Sequence, residues 1–280
     1  MKFLPVLAAL AALPILAAEP SPETLIAHRG ESVDAPENSL PAFTCAVERG
    51  FGFECDLYLS KDGRVFTFHD GHLGRITGGK DRRSCGAVTW SNDLSNLNVA
   101  GWGKWKKNNY PHTPPALFED VLKLARPNRY IYAELKTGPH IVPHIKAILE
   151  KQTNATPENL LFISFNTASC AELKRQLPAY KVYWLTSPGG FKPFTSTNLV
   201  SVLKRIKADG VDSHFDPKFV TADLIKSVHD AGFSFHVWTI DRLSTAREAF
   251  KRGADTLTTN RAKGLLTEYR KQQENETATK

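Results

Sequence analysis

The amino-acid sequence predicts an α/β fold, a TIM-like (β/α)8 barrel with a long insertion after the third strand. Three observations point there. Short apolar runs recur at 25–28, 53–57, 65–69, 130–135, 160–164, 182–185, 210–212, 233–240 and 255–258, with helix-like segments between many of them; strands alternating with helices at this pitch build a parallel sheet. Charged residues stand at the ends of several different runs, which is how a barrel assembles a site and what favours it over an open doubly wound sheet. The chain has 280 residues, enough for one large domain with a well-buried core.

The elements follow in order. Nine runs are one more than a barrel needs, and 210–212 is the weakest of them. Helices are expected over 39–48, 118–125, 141–151, 168–176, 197–208, 222–231 and 244–251. Asn38 is positioned to cap the first and residues 164–166 the fourth, while Gly232 and Gly253 follow the last two. The spacing from Asp56 to His69 is too short for a helical crossover, so that connection must be an extended return, turning at Lys61-Asp62-Gly63. Residues 71–116 have little periodicity but contain Trp90, Trp102 and Trp105. A loop of that length is commonly functional, and it is expected to form a cap-like region that shapes the substrate pocket.

The ends bound the domain. Residues 1–18 combine one lysine, an apolar core and a closing Ala17-Ala18, the parts of a secretory signal peptide; an uncleaved N-terminal anchor is the alternative. The expected localisation is secreted or extracytoplasmic. A single domain is expected over 19–270, then a polar tail over 271–280 that frays. The net charge is +7, which suits anionic phosphate esters and peripheral contact with a membrane surface. No block of basic residues reads as a nucleic-acid tract, and no protein partner is implied. The four cysteines, Cys45, Cys55, Cys85 and Cys170, form no Cys-x-x-Cys pair. That argues against zinc or redox motifs, while in an oxidising compartment up to two disulfides can form.

Four strand ends carry the candidate chemistry. His28-Arg29-Gly30 closes the first run: a histidine moves protons near neutral pH, and an arginine fork suits phosphate. Glu54 and Asp56 lie two apart on a strand and share one face, with Cys55 on the other. Buried carboxylates are expensive unless paired, and a hard divalent cation pairs them. His69-Asp70 closes the third run. A second histidine permits division of labour between acid and base, and Asp70 reads as a turn or cap residue. Glu134 and Lys136 again share a face; Glu134 would complete a three-carboxylate site, and Lys136 would steady a negative oxygen.

The order of these groups resembles the glycerophosphodiester phosphodiesterase family: Ile26-Ala27-His28-Arg29-Gly30, Ala35-Pro36-Glu37-Asn38-Ser39, Glu54-Cys55-Asp56-Leu57, Lys61-Asp62-Gly63, His69-Asp70, Leu73-Gly74-Arg75, Pro115-Ala116-Leu117-Phe118-Glu119, Glu134-Leu135-Lys136, Ser164-Phe165 and Val237-Trp238-Thr239-Ile240. The resemblance spans about Ile26 to Gly264. It implies a TIM-like barrel, one divalent cation (Ca2+ or Mg2+), and hydrolysis of a small-molecule or lipid-derived phosphodiester, a glycerophosphodiester, to glycerol phosphate and an alcohol. It implies His28 and His69 as the catalytic pair, Glu54, Asp56 and Glu134 as metal ligands, and Arg29, Lys136 and Trp238 as substrate-binding residues. The chain departs from the family pattern at Cys55, at Thr259-Asn260, where the family has Thr-Asp, and at Asp241, where it has Asn; these are expected to affect the barrel rim more than the chemistry. Two alternatives stay open: a phospholipase D-like toxin of the same superfamily, which acts on sphingomyelin or lysophospholipids with a cyclic phosphate product, and a non-catalytic binding module on the same scaffold.

Overall fold

A computed structural model describes residues 18–152 and 154–278; the segment expected as a signal peptide therefore lies, but for Ala18, outside the described residues. Among the described residues nine strands form: β1 Leu25–Ala27, β2 Gly52–Leu59, β3 Val65–Thr67, β4 Ile131–Leu135, β5 Leu160–Ser164, β6 Lys181–Thr186, β7 Gly210–His214, β8 Ser234–Trp238 and β9 Thr256–Thr259. Eight are parallel and run in the order β1-β9-β8-β7-β6-β5-β4-β2, and pairing of β2 with β1 (Ile26 opposite Gly52) closes the ring. All eight are almost continuously buried, as strands covered on both faces must be.

The ninth strand is not the weakest run. Gly210–His214 belongs to the barrel, and the supernumerary strand is β3, which pairs antiparallel with the upper part of β2 (Leu59 opposite Val65, Leu57 opposite Thr67). The extended return expected between Asp56 and His69 is this hairpin, and it carries His69 back down to the barrel mouth.

Helices α1 Leu40–Glu48, α3 Phe118–Leu122, α4 Val142–Leu149, α5 Thr167–Gln176, α6 Ser196–Ile206, α7 Ala222–Asp230, α8 Leu243–Lys251 and α9 Ala262–Ala278 surround the barrel, and the short α2 Gly103–Lys107 lies in the long excursion. Asn166, Thr195 and Thr221 cap α5, α6 and α7 through their side chains. At α1 the cap is Ser39, whose hydroxyl accepts from Ala42 N–H, rather than Asn38. Asn38 is drawn away because its amide is committed to Asp56. Helix α9 is absent from the sequence expectation, and the end expected to fray is helical through Ala278. Its face is held to α8 by Arg247, which bonds Gln272 and Glu276.

Three apolar clusters divide the interior. The largest fills the space between barrel and helices and includes Phe43, Phe53, Cys55 and Leu57. A second occupies the lumen, with Ile26, Tyr132, Leu161, Ile163, Tyr183 and Leu185. A third lies under the excursion, where Phe66, Phe68, Leu73, Ile76, Cys85, Val88, Leu94 and Val99 pack together with partly buried Trp90. Residues 71–116 thus have a small core of their own. No helix among the described residues is long and apolar enough to cross a membrane. All four cysteines are free, and Cys55 faces the outer cluster, away from the acids that flank it.

Candidate active site

Strand alternation creates the site. Glu54 and Asp56 point into the lumen, and Asp56 lies opposite Glu134 in the β2–β4 register. At the mouth these strands bring His28, Arg29, Glu54, Asp56, His69, Glu134 and Lys136 around one cavity of about 230 Å³, walled also by Ile163, Phe165, Leu185, Asp212, Trp238, Thr239 and Thr258. The eight residues expected to act in catalysis, metal binding or substrate binding all line it, while Asp70, Asp241 and Asn260 stand behind it.

One oxygen from each of Glu54, Asp56 and Glu134 lies within 4.8 Å of the others. Burial and the charges of its two neighbours push Glu54 well above the usual carboxylate range, and its Oε1 has no hydrogen-bond partner among the described residues. Burial and the charge of Asp56 raise Glu134 to about 7. Burial would raise Asp56 too, but Lys136 and then Arg29 outweigh it and hold Asp56 below its ordinary value. Lys136 Nζ lies 2.9 Å from Glu134 and 3.4 Å from Asp56. The side chain of Asn38 donates to Asp56 Oδ2 at 2.7 Å and accepts from Asp56 N–H at 3.0 Å. Oxygen-only donors of this kind can hold a hard divalent cation.

The turn after β1 sets the other wall. Gly30 has φ +79°, and a Cβ there would meet the backbone of Ala42 at 2.6 Å, so only glycine lets α1 approach this closely. Arg29 is itself left-handed, at φ +57°. Its N–H donates to Glu54 Oε2 at 2.9 Å, and its guanidinium donates to Glu37 at 3.2 Å and lies 3.6 Å from Asp56.

Each histidine is held from behind. His28 Nδ1 is 2.6 Å from Asn260 Oδ1, and Asn260 donates its amide to Asp241 Oδ2 at 2.7 Å and its N–H to Asp241 Oδ1 at 2.8 Å. The remaining nitrogen of His28 is 3.9 Å from Glu54. Burial, then the charge of Arg29, lower the His28 pKa. His69 Nδ1 is 2.8 Å from Asp70, whose carboxylate accepts from Arg75 at 2.6 and 3.2 Å. Arg75 also donates to Glu37 at 2.5 Å, which ties the excursion to the Arg29 side of the cavity. Burial acts to raise Asp70, but the hydrogen bonds from Arg75 and His69 dominate and lower it.

Two expectations need correction here. Asp70 is not simply a turn or cap residue, because it orients His69. Nor is Asn260, with Asp241, a mere rim feature, since the pair fixes His28. None of the cavity-lining residues comes from 71–116; the excursion reaches the site through Arg75.

The sequence profile of the glycerophosphoryl diester phosphodiesterase family matches residues 28–263. The chain belongs to this family. It is similar to a glycerophosphodiester phosphodiesterase of Caldanaerobacter subterraneus, with 26% identity over 251 residues, covering 88% of this chain and 98% of the relative. A probable glycerophosphodiester phosphodiesterase of Mycobacterium tuberculosis is 30% identical over 174 residues, 55% of this chain and 61% of that protein. Among solved structures, an Oleispira antarctica phosphodiesterase in complex with its product sn-glycerol-3-phosphate superposes with a TM-score of 0.75 at 24% identity, covering 87% of this chain and 95% of that one. A glycerophosphodiester phosphodiesterase of Thermotoga maritima gives 0.66 at 22% identity, covering 87% and 97%. These structural likenesses share the barrel fold.

Sequence reasoning missed Asp212, which lines the cavity from β7. It lies in the shortest and weakest of the predicted runs, and a lone acid there carries no pattern. In the sequence Phe165 carries no signal beyond the Ser164-Phe165 pair of the family pattern. It stands at the rim, half exposed, with its ring edge-on to Trp238 at 5.7 Å.

Proposed function

We propose that this family member is a secreted or extracytoplasmic phosphodiesterase that hydrolyses glycerophosphodiesters to glycerol phosphate and an alcohol, with Ca2+ or Mg2+ as cofactor. The observation that carries the reading is the convergence, in one cavity, of three crowded carboxylates, two cationic side chains and two separately oriented histidines. Family membership supports the substrate class. Glu54, Asp56 and Glu134 would hold the cation. The unpartnered Glu54 Oε1 and the upward shifts of Glu54 and Glu134 mark a site short of positive charge. When bound, the ion supplies Lewis-acid stabilisation of charge on a phosphate oxygen.

The hydrogen-bond chains support a division of labour between the histidines. Because Asn260 donates its amide to Asp241, its Oδ1 must accept, so the proton of a neutral His28 sits on Nδ1 and the lone pair on Nε2. With its pKa lowered by burial and Arg29, His28 is neutral at pH 7 and suits the general base. His69 donates Nδ1–H to Asp70, whose charge balances an imidazolium, and its Nε2–H suits the general acid. In the reaction, a water oxygen bonds to phosphorus as His28 Nε2 takes its proton. The bond from phosphorus to the leaving oxygen breaks as His69 protonates that oxygen, giving a monoester and an alcohol. Solvent then restores both rings. Arg29 and Lys136 would bind the phosphate oxygens, with Trp238 against the substrate.

Turnover of glycerophosphocholine by the purified chain, with and without EDTA, tests the reaction and the cofactor. His28→Ala and His69→Ala should each lose about 10²–10⁴-fold. A p-nitrophenyl ester, whose leaving group needs no proton, should rescue His69→Ala alone. Rescue of His28→Ala instead would reverse the roles. Full activity after chelation would remove the cation, and a cyclic product by phosphorus NMR would favour the phospholipase D-like alternative.

A further inference from the structure

The cavity contains a carboxyl group that the chemistry above does not use. Asp212 projects from β7 into the lumen, is 1% exposed, and its Oδ1 has no hydrogen-bond partner among the described residues. Its lateral neighbours cannot supply one. On β6 its register partner is the apolar Leu185. On β8 it is His236, 3.8 Å away at Nε2. That ring is already spent on two threonine hydroxyls, Nδ1 with Thr256 at 2.6 Å and Nε2 with Thr258 at 2.8 Å. Trp238 Nε1 donates to the backbone carbonyl of Asp212 and not to its side chain. Burial, and then the charge of Glu134, both push the carboxyl well above the usual range.

A buried polar group without a partner is expensive, and the open side of this one faces the cavity. The missing partner is therefore to be sought in what fills the cavity. It must be a small polar group, because Leu185 and Ile163 wall the same space. We propose that Asp212 binds a hydroxyl of the glycerol moiety and is a specificity-determining residue, selecting diesters of a polyol over those of a simple alkyl alcohol. This rests on the glycerophosphodiester reading. It gives that reading a recognition element distinct from the groups assigned to the phosphate.

The test is calorimetric binding of sn-glycerol 3-phosphate and of n-propyl phosphate, which lacks both hydroxyls, to the full chain. Wild type should prefer the glycerol compound by about ten- to a hundredfold, the range expected for a buried hydrogen bond to a carboxyl group. In Asp212→Leu the preference should fall towards unity by loss of glycerol phosphate affinity, with propyl phosphate held as before. Asp212→Asn should fall between the two. Both variants should melt no lower than wild type, because neither breaks an existing hydrogen bond. Lack of preference in wild type, or an unchanged preference in both variants, would overturn the assignment. So would a lower melting temperature with the preference intact, which would make Asp212 structural. Turnover of glycerophosphocholine is measured on the same preparation. Absence of turnover with the Asp212-dependent preference retained would sink the hydrolytic reading and leave the hydroxyl site standing.

Discussion

Asn260 offers the sharpest perturbation of the proposed mechanism. It touches the proposed catalytic pair only through His28 Nδ1, at 2.6 Å, and is itself held by donating its side-chain amide and its N–H to the Asp241 carboxylate, at 2.7 and 2.8 Å. Asn260→Ala removes the acceptor that selects the Nδ1–H tautomer and the ring orientation. The least it can cost is one neutral hydrogen bond, about 0.5–1.5 kcal/mol, or about two- to tenfold in rate. The most is the whole contribution of a general base, about 10⁴-fold. The expected loss in kcat/KM on glycerophosphocholine lies inside that bracket. Asn260→Asp makes a second, opposite statement. A carboxylate against Nδ1 stabilises the charged ring and raises the His28 pKa. A base works only when neutral, and activity falls below its pKa, so the acid limb of the kcat/KM profile should move to higher pH. The assay is a kcat/KM profile from pH 5 to 9 for both variants and wild type. Activity of Asn260→Ala within twofold of wild type, or an acid limb that stays in place in Asn260→Asp, would refute the argument that this residue sets the state of His28.

Two further outcomes follow from groups outside the chemistry itself. His236 is fully buried, and desolvation lowers its pKa from 6.5 to about 3. The folded protein keeps this ring neutral while the unfolded chain protonates it, so the associated stability is present above about pH 6.5 and is lost as pH falls towards 3, at about 1.4 kcal/mol per unit. Urea unfolding at pH 7.5 and pH 5 should show a pH-dependent loss smaller by about 2 kcal/mol in His236→Gln, and equal losses in both proteins would remove His236 from the account. Arg75→Ala removes a partner from both Asp70 and Glu37, so it should lower kcat by about tenfold through the loose His69, with the p-nitrophenyl ester partly spared; an equal loss on both substrates would mean that Arg75 does not act through the general acid.

Much of the barrel was legible because its strands are buried on both faces and read as apolar runs. The same signal misled at the run 65–69, which contains β3 and whose Phe66 and Phe68 are buried under the excursion and not against the barrel helices. It faded at β7 for a local reason. A Cβ on Gly210 would meet the Tyr183 ring and Ser234 O at 2.8 Å, so glycine is required there, and Asp212 takes the next lumen position, which leaves little apolar pattern. Helix α9 went unread because only Ala262, Leu265 and Leu266 of its residues are buried. Seven of the eight charged or histidine groups that line the cavity were readable as polar residues at strand ends, and Asp212 was not. Their supports were not. Asn260 meets His28 only because β9 closes on β1, 232 positions away in sequence, and a single asparagine carries no periodicity that announces such a meeting.

The charges of the site explain why its parts depend on one another. Lys136 is shared between Glu134 and Asp56, and Arg29 between Glu37, the Glu54 contact at its N–H and Asp56. Both cations proposed to receive the substrate phosphate are therefore occupied by carboxylates. The three acids still lack enough positive charge, since Glu54 and Glu134 are both shifted towards their protonated forms. A divalent cation held by the three carboxylates would relieve that shortage and loosen the hold of Glu134 on Lys136. A phosphate contact from Lys136 would thus be coupled to occupation of the acidic cluster, although the two proposed roles belong to different residues. On this argument neutralising Glu134 alone is not equivalent to supplying the ion, because it releases Lys136 but removes a ligand. Cation and phosphate recognition are expected to fail together when any one of the three carboxylates is lost.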